Sequence, residues 1–550
     1  MKRRKPELID LSIEELDAIL ERSKVGALNA QDRDKLKALH ETHFWVVTEL
    51  EKSNASLARL RKSLSINAQK TEKTSAVLNA EKDVEAPAGS VVETIGEKAE
   101  KKKPKGHGRN GAGAYTGAER IEVPHPSLKP GDPCPECKRG KVYEQEPQRL
   151  VRLRGQAPIP ATLLELQRVR CNLCGEVFTA ESPDGVDDEE KYDETAVSMI
   201  AVLRYGSGFP MYRLEKMQDS LGIPLPASVQ WEIVGAAAFQ IQPVFDELIR
   251  QAAQGDVLHN DDTSITVLSL RRDIEDETGD ESKRTGIFTS GIISTCEGRK
   301  IALFFTGRQH AGENLRDILR ERAATLKAPI QMCDALARNM PKMPGTLEVI
   351  VSHCLAHGRR RFVEVTSNFP EACRHVLEAL GEVYHHDALA HERGLSPEER
   401  LRFHQQHSRP VMEQLHTWLK AQLDEKKVEP NSGLGGAITY LLKYWVRLTL
   451  FLRQAGAPLD NNLCERALKK AILHRKNSLF YKTENGAYVG DVFMSLIHTA
   501  ELCGANPFDY LSQLQRHAAE LEEVPSQWMP WNYRATLQRA DAAGAAIDSG

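Results

Sequence analysis

Between Gly255 and Gly307 the chain changes its period. "GDVLHNDDTSITVLSL", "TGIFTSGIISTCEG" and "RKIALFFTG" alternate or run apolar like three consecutive strands, while the long stretches on either side are mostly spaced as helices. A helix over 314–324 follows, then an apolar run, "APIQMCDAL", that ends in an acid. "LEVIVSHC" is a fifth strand and leads into the helix "LAHGRRRFVEV"; helices dominate 370–455. Strands interleaved with helices, with carboxylates at strand ends, define an α/β sheet with a site along its edge.

At 550 residues the chain is too long for one core, and three or four domains are expected. Its 41% hydrophobic and 6% aromatic content suits a soluble, helix-leaning protein. A formal charge of −4 excludes a global nucleic-acid signature, so DNA binding must rest on local patches. No apolar run approaches membrane-spanning length and the start "MKRRKPELIDLS" lacks the apolar core of a signal peptide, so the expected location is the cytosol.

Ser12-Ile13-Glu14-Glu15 reads as a capping box opening a helix that ends near Gly26. Beyond Asn29, the positions Leu36, Leu39, His43, Val46, Leu50, Ser53, Leu57, Leu60 and Leu64 alternate spacings of three and four. They fit a dimerising coiled coil, or a single amphipathic helix folded back on its own chain. Residues 66–116 form a linker ending in "KKKPKGHGRNG", where Lys103, Lys105 and Arg109 can lie along phosphates or simply keep the segment solvated.

Next come "CPEC", with Cys134 and Cys137, and "CNLC", with Cys171 and Cys174. Two such pairs supply four thiolates to one tetrahedral Zn²⁺, a closed and therefore structural site. Strand-like "RLVRLRGQAP" and "ATLLELQRVR" between them leave room for a hairpin. "YRLEKMQDSLGIPLPASVQWEIVGAAA" has a helix to Leu221, a break at Gly222-Ile223-Pro224, and a second helix opening near 226–228. That is the cadence of a helix-turn-helix, and also of many helical bundles.

Phosphodiester chemistry needs divalent ions held by hard oxygen ligands. Asp261 in the first strand, Asp334 at the end of the fourth and Glu465 on the late helix "LDNNLCERALKKAILHRKN" are placed to meet at one sheet edge. With 77 acidic residues in the chain, spacing alone leaves this triplet open.

"HNDDTSITVL", "QMCDAL", "CLAHGRRRF" and "DNNLCERALKKAILHRKNSLF" strongly resemble transposases of the insertion sequence 66 family, DDE enzymes with a ribonuclease-H-like core. The likeness covers nearly the whole chain, including "GHGRNGAGAY", the cysteine pairs and "MPWNY". It implies that Asp261, Asp334 and Glu465 are the catalytic carboxylates and hold two Mg²⁺ (or Mn²⁺) ions. Asp262 stands where the family usually has Glu, which leaves it open as a ligand. The 131 positions between Asp334 and Glu465 match a helical insertion. Cys354 and His357 match a pair that many DDE transposases place after the second aspartate; they would shape the site or contact DNA together with Arg359, Arg360 and Arg361, rather than bind zinc, or else belong to the core. Arg466, Lys469, Lys470, Arg475 and Lys476 are candidates for gripping phosphates, though Lys469 and Lys470 stand where family members often have Arg-Pro.

The expected fold is therefore multidomain α+β. A helical, coiled-coil segment spans 1–65, the basic linker 66–116, a zinc ribbon 117–190 and a helix-turn-helix-like domain 191–252. The ribonuclease-H-like core occupies 253–368 and 456–500, split by a helical insertion at 369–455, with a helical tail at 501–550. The implied function is a DNA transposase that binds the terminal inverted repeats of its element, cuts there and joins the ends to target DNA. Implied partners are element ends, target DNA, at least a second copy of the chain and accessory proteins encoded by the same element, in a cytoplasmic, nucleoid-associated setting with no membrane. Two rivals are a non-catalytic, sequence-specific DNA-binding regulator and a nuclease of the same core without strand transfer.

Overall fold

The computed structural model describes residues 11–26, 28–42, 45–46, 49, 126–136, 138–143, 157–170, 177–181, 191–271, 285–296, 298–343 and 348–548. The chain divides into two compact units, Pro87–Pro160 and the remainder. Cys137, Cys171, Cys174, Lys103, Lys105, Arg109 and most of the heptad positions lie outside the described residues.

Within the smaller unit, Cys134 sits in a tight hairpin: its N–H donates to Gly140 O (2.8 Å) and its carbonyl accepts from Lys138 N (2.9 Å). In the larger unit, helix α1 (Ile13–Val25) opens with the expected capping box, Ser12 and Glu15 each accepting the other's backbone N–H. Arg22 then clamps Asp32 through two bonds of 2.9 and 2.8 Å, tying α1 to the helical residues 30–42. Of the two strand-like segments expected to form a hairpin between the cysteine pairs, residues 149–156 of the first lie outside the described residues. Residues 161–167 are not strand, and β1 (Arg168–Arg170) pairs antiparallel with β2 (Val177–Thr179) across the second pair instead.

Helices α2 (Glu194–Ala201), α3 (Met211–Ser220), α4 (Ala227–Gln240) and α5 (Gln242–Ala252) precede the sheet. The turn between α3 and α4 uses Gly222 at φ +76°, a left-handed conformation that favours glycine. Buried Gln230 locks the pair by donating to Met211 O (3.1 Å) and Leu225 O (2.9 Å).

The sheet contains β3 (Val257–Ser264), β4 (Phe288–Cys296), β5 (Arg299–Gly307), β6 (Ile330–Cys333) and β7 (Ile350–His353), in the order β5-β4-β3-β6-β7. The first three strands are an antiparallel meander; β6 and β7 run parallel to β3. The architecture is mixed α+β, with a mixed five-stranded sheet. Helix α6 (Ala311–Leu319) crosses from β5 to β6. It begins and ends earlier than the apolar spacing predicts, because the His310–Glu313 capping box fixes its start.

After β7 come α7 (Leu355–Val365), α8 (Pro370–Glu392), α9 (Pro397–Asp424) and α10 (Gly433–Leu448). Leu377, Leu380, Met412, Leu415, Ile438 and Leu441 form a core there that continues into Val257, Ile330 and Phe362. Helices α11 (Asn462–Ser478) and α12 (Glu484–Leu502) then return to the sheet. Among the described residues, no helix is long and apolar enough to cross a membrane.

The outer edge of β5 is closed by side chains rather than by another strand. Thr499, Ser495 and Asp491 of α12 accept from the N–H groups of Ala302 (3.0 Å), Phe304 (2.9 Å) and Thr306 (2.6 Å). The match is geometric: four helical residues rise about 6 Å and two strand residues about 6.7 Å. Burial pushes the Asp491 carboxyl up to about 7, against the bonds from Thr306 that favour its charge. A carboxyl raised in the folded state stabilises when protonated, and that contribution is lost as pH rises through about 7. Asp491→Asn removes the titration and can still bond Thr306. Its chemical-denaturation stability is expected to gain on wild type by about 2–4 kcal/mol between pH 5 and pH 8.

Candidate active site

The parallel β3–β6 register runs Val257↔Ile330, Leu258↔Gln331 and His259↔Met332. Continued by two residues, it brings Asp261 level with Asp334, just beyond the end of β6. One amide joins them: Asn339 Nδ2 donates to Asp261 Oδ1 (3.0 Å) and Asp334 Oδ1 (2.6 Å). Further donors are backbone N–H groups, Asp262 to Asp261 (2.8 Å) and Leu336 to Asp334 (3.1 Å). Burial raises the Asp261 carboxyl to about 6, and the neighbouring Asp334 and Asp262 add to it, against the bonds from Asp262 N–H and Asn339.

Asn339 is fully buried, and its loop is held in place on both sides. Its carbonyl accepts from Asn260 Nδ2 and Gln331 Nε2, each at 2.7 Å. Gly312 of α6 leaves the necessary space, since a Cβ there would lie 2.7 Å from the carbonyl oxygens of Arg338 and Met340. Nothing in "DALARNM" separates this asparagine from a loop residue, because its role depends on pairing that only the fold brings about.

Alternation along β3 sends Asp262 to the face opposite Asp261. There its side chain, 1% exposed, meets His310 Nδ1 (2.9 Å) and an Arg338 amine nitrogen (3.1 Å). The two neighbouring aspartates therefore have separate partners.

Helix α11 carries Glu465 in its first turn, and Asn461 fixes that turn. Fully buried, Asn461 donates from Nδ2 to Asn260 O (3.1 Å), meets His259 Nδ1 through Oδ1 (3.1 Å) and donates its N–H to Cys354 Sγ (3.2 Å). Burial drives His259 down to about 4, so the ring is neutral at pH 7 and its Nδ1–H can donate to Asn461. Gly291, opposite Asp261 in the ladder, lets α11 approach: a Cβ there would lie 2.9 Å from Leu468 Cδ2, and Cys464 Sγ donates to Gly291 O at 3.2 Å.

Glu465 faces α7, with Oε1 3.7 Å from His357 Nδ1 and Oε2 3.5 Å from an Arg360 amine nitrogen. Cys354, His357 and Glu465 bring their ligand atoms within 4.8 Å of one another, the one such group among the described residues; Glu465 does not make one with Asp261 and Asp334. Of the α11 bases, Lys470 is paired with Glu501 (2.8 Å) and Arg475 is bonded to Thr263 (3.1 Å) and to Ser264. Arg466, Lys469 and Lys476 are exposed. Arg359 and Arg360 are half-buried on α7, the helix that flanks Glu465.

Residues 190–489 match the family described as Transposase IS66 family, and the chain belongs to that family. Among its relatives are two uncharacterized proteins of Sinorhizobium fredii. One, y4jD, is 27% identical over 68% of this chain and 74% of its own length; the other, y4qI, is 25% identical over 78% and 79%.

Loss of the Asn461 amide would strand His259 and the Asn260 carbonyl in the interior. Asn461→Ala is expected to lower unfolding free energy by about 2–4 kcal/mol. Asn462→Ala, an exposed neighbour bonded to Asp460, is expected to change it by less than about 1 kcal/mol in the same urea titration.

Proposed function

We propose that this chain is a DNA transposase that cuts at the terminal inverted repeats of its element and joins the freed ends to target DNA. The observation that carries the proposal is the pair Asp261 and Asp334, held on adjacent strands by one buried amide, beside a helix that delivers Glu465. The strand order, a three-stranded antiparallel meander followed by two parallel strands, supports a ribonuclease-H-like core.

The aspartates fit divalent ions. Two carboxylates are forced together with neutral donors as their partners, and their mutual repulsion is what a hard cation relieves. Asp261 and Asp334 would hold such ions with Glu465, and bound Mg²⁺ would supply an activated water and a stabilised leaving oxygen. Asn339 orients the two aspartates through its amide nitrogen, and its side-chain oxygen is buried without a hydrogen-bond partner. Glu465 rests against His357 and Arg360 in this structure and must turn from α7 to join the aspartates. Arg359 and Arg360 would meet DNA on the same side.

Arg466, Lys469 and Lys476 repeat at helical spacing along the exposed face of α11, next to exposed Leu473, and form the stripe best placed to follow a phosphate backbone. Lys470 and Arg475 serve the fold through their bonds to Glu501 and to the end of β3. The α3–α4 pair, the cysteine pairs and the basic linker would recognise the repeats, and the N-terminal helices would pair copies of the chain.

The test is strand cleavage and joining on DNA carrying the element's ends, with Mg²⁺ and the element's accessory proteins. Asp261→Asn, Asp334→Asn and Glu465→Gln are each expected to reduce cleavage by at least about a thousandfold while leaving end binding intact. Cleavage undiminished in all three would overturn the proposal. Binding without cleavage by wild type would support a regulator, and cleavage without joining a nuclease. In salt titrations of binding, Arg466→Gln and Lys469→Gln are each expected to flatten the log–log slope by roughly one unit, and Lys470→Gln to leave it unchanged.

A further inference from the structure

We infer that Cys354, His357 and Glu465 form a site for one thiophilic divalent cation of the zinc class, bridging α7 and α11. Three observations point to it. The three ligand atoms lie within 4.8 Å of one another. His357 Nδ1 and Glu465 Oε1 are both buried and both without a hydrogen-bond partner, although they face each other at 3.7 Å. That gap is too long for a hydrogen bond. Nitrogen and oxygen ligands about 2.0–2.1 Å from one tetrahedral ion stand roughly 3.4 Å apart, so a small closure brings both onto a shared ion.

The third observation concerns the sulfur. Cys354 is the N-cap residue of α7, and its Sγ accepts from the backbone N–H groups of Asn461 (3.2 Å) and His357. These N–H groups hold the sulfur in place at the start of α7; burial keeps the free thiol protonated against them, so a bound cation would have to displace its proton. The Cys-x-x-His spacing places sulfur and imidazole on one side of the first turn of α7, and Asn461 fixes α11 so that Glu465 completes the set.

The donor set decides the metal. One sulfur, one nitrogen and one oxygen suit zinc and not magnesium, whose preferred ligands are oxygens such as those of Asp261 and Asp334. Thiolate and carboxylate together balance a dication. Arg360 engages the other carboxylate oxygen, Oε2, and leaves Oε1 for the ion. The bound ion would act as a clamp holding Glu465 on α7. Glu465 is also the third carboxylate of the transposase proposal, so the zinc-bound state is one that withholds it from Asp261 and Asp334; the site itself does not rest on that proposal.

The experiment measures zinc per chain by plasma emission. Full-length protein is saturated with zinc and desalted, and wild type is compared with His357→Gln, Glu465→Gln and Asp261→Asn, all checked for native circular dichroism and melting. The expected result is one equivalent more in wild type and Asp261→Asn than in His357→Gln and Glu465→Gln, over whatever the other cysteines hold. Cobalt loaded in place of zinc should likewise lose one tetrahedral, thiolate-ligated centre in His357→Gln. Equal zinc in all four proteins would overturn the inference. Loss in Asp261→Asn as well would also overturn it, by assigning the ion to the aspartates. Cleavage is read separately on zinc-free protein with Mg²⁺: its absence there would count against the transposase proposal and leave this site standing.

Discussion

The site depends on one carboxamide. Asn461 is the point at which β3, α7 and α11 are held together, through the carbonyl of Asn260, the ring of His259 and the sulfur of Cys354. These three segments are far apart in the chain, and each brings a polar group into a dry interior where an unmet hydrogen bond costs about 1–3 kcal/mol. A single side chain with one acceptor and two donors, aided by its own N–H, satisfies all of them. Misplacing α11 by one residue would leave several polar groups unpaired, so the position of Glu465 is set by hydrogen-bond satisfaction as much as by packing. Gly291 and Gly312 do the complementary work by removing the atoms that would keep α11 and the Asn339 loop away from the sheet.

Much of this architecture is legible in the sequence. The change from helical to strand period marks β3 to β5, and the apolar runs mark β6 and β7, because period and run length follow directly from which faces are buried. The start of α1 is legible because a capping box is local chemistry. Of the second strand-like segment between the cysteine pairs only Arg168–Arg170 forms a strand; residues 161–167 are exposed and find no partner strand among the described residues. β-propensity reports fitness for a half-buried surface and does not by itself supply that surface.

The site is legible only in part. Residue types and a family pattern single out Asp261, Asp334 and Glu465, but the groups that orient them, Asn339, Asn461, Asn260 and Gln331, look like ordinary polar residues until strands 70 or more positions apart are paired. The basic residues of α11 show the same limit. Five of them look equivalent in "ERALKKAILHRKN", yet Lys470 answers Glu501 on α12 and Arg475 ties down the end of β3. Which bases remain exposed is a property of the neighbouring elements, and no local pattern encodes it.

The polar ladder between α12 and β5 has a bearing on incomplete chains. Strand β5 lies at residues 299–307, but the side chains that satisfy its outer N–H groups arrive at 491, 495 and 499. A product ending anywhere between carries a long, apolar strand with an open edge, the feature that promotes association with other strands and capture by chaperones and proteases. The last helix to reach the sheet thus serves as a length check. A fragment holding both aspartates but lacking α12 would carry an open edge that marks it for removal.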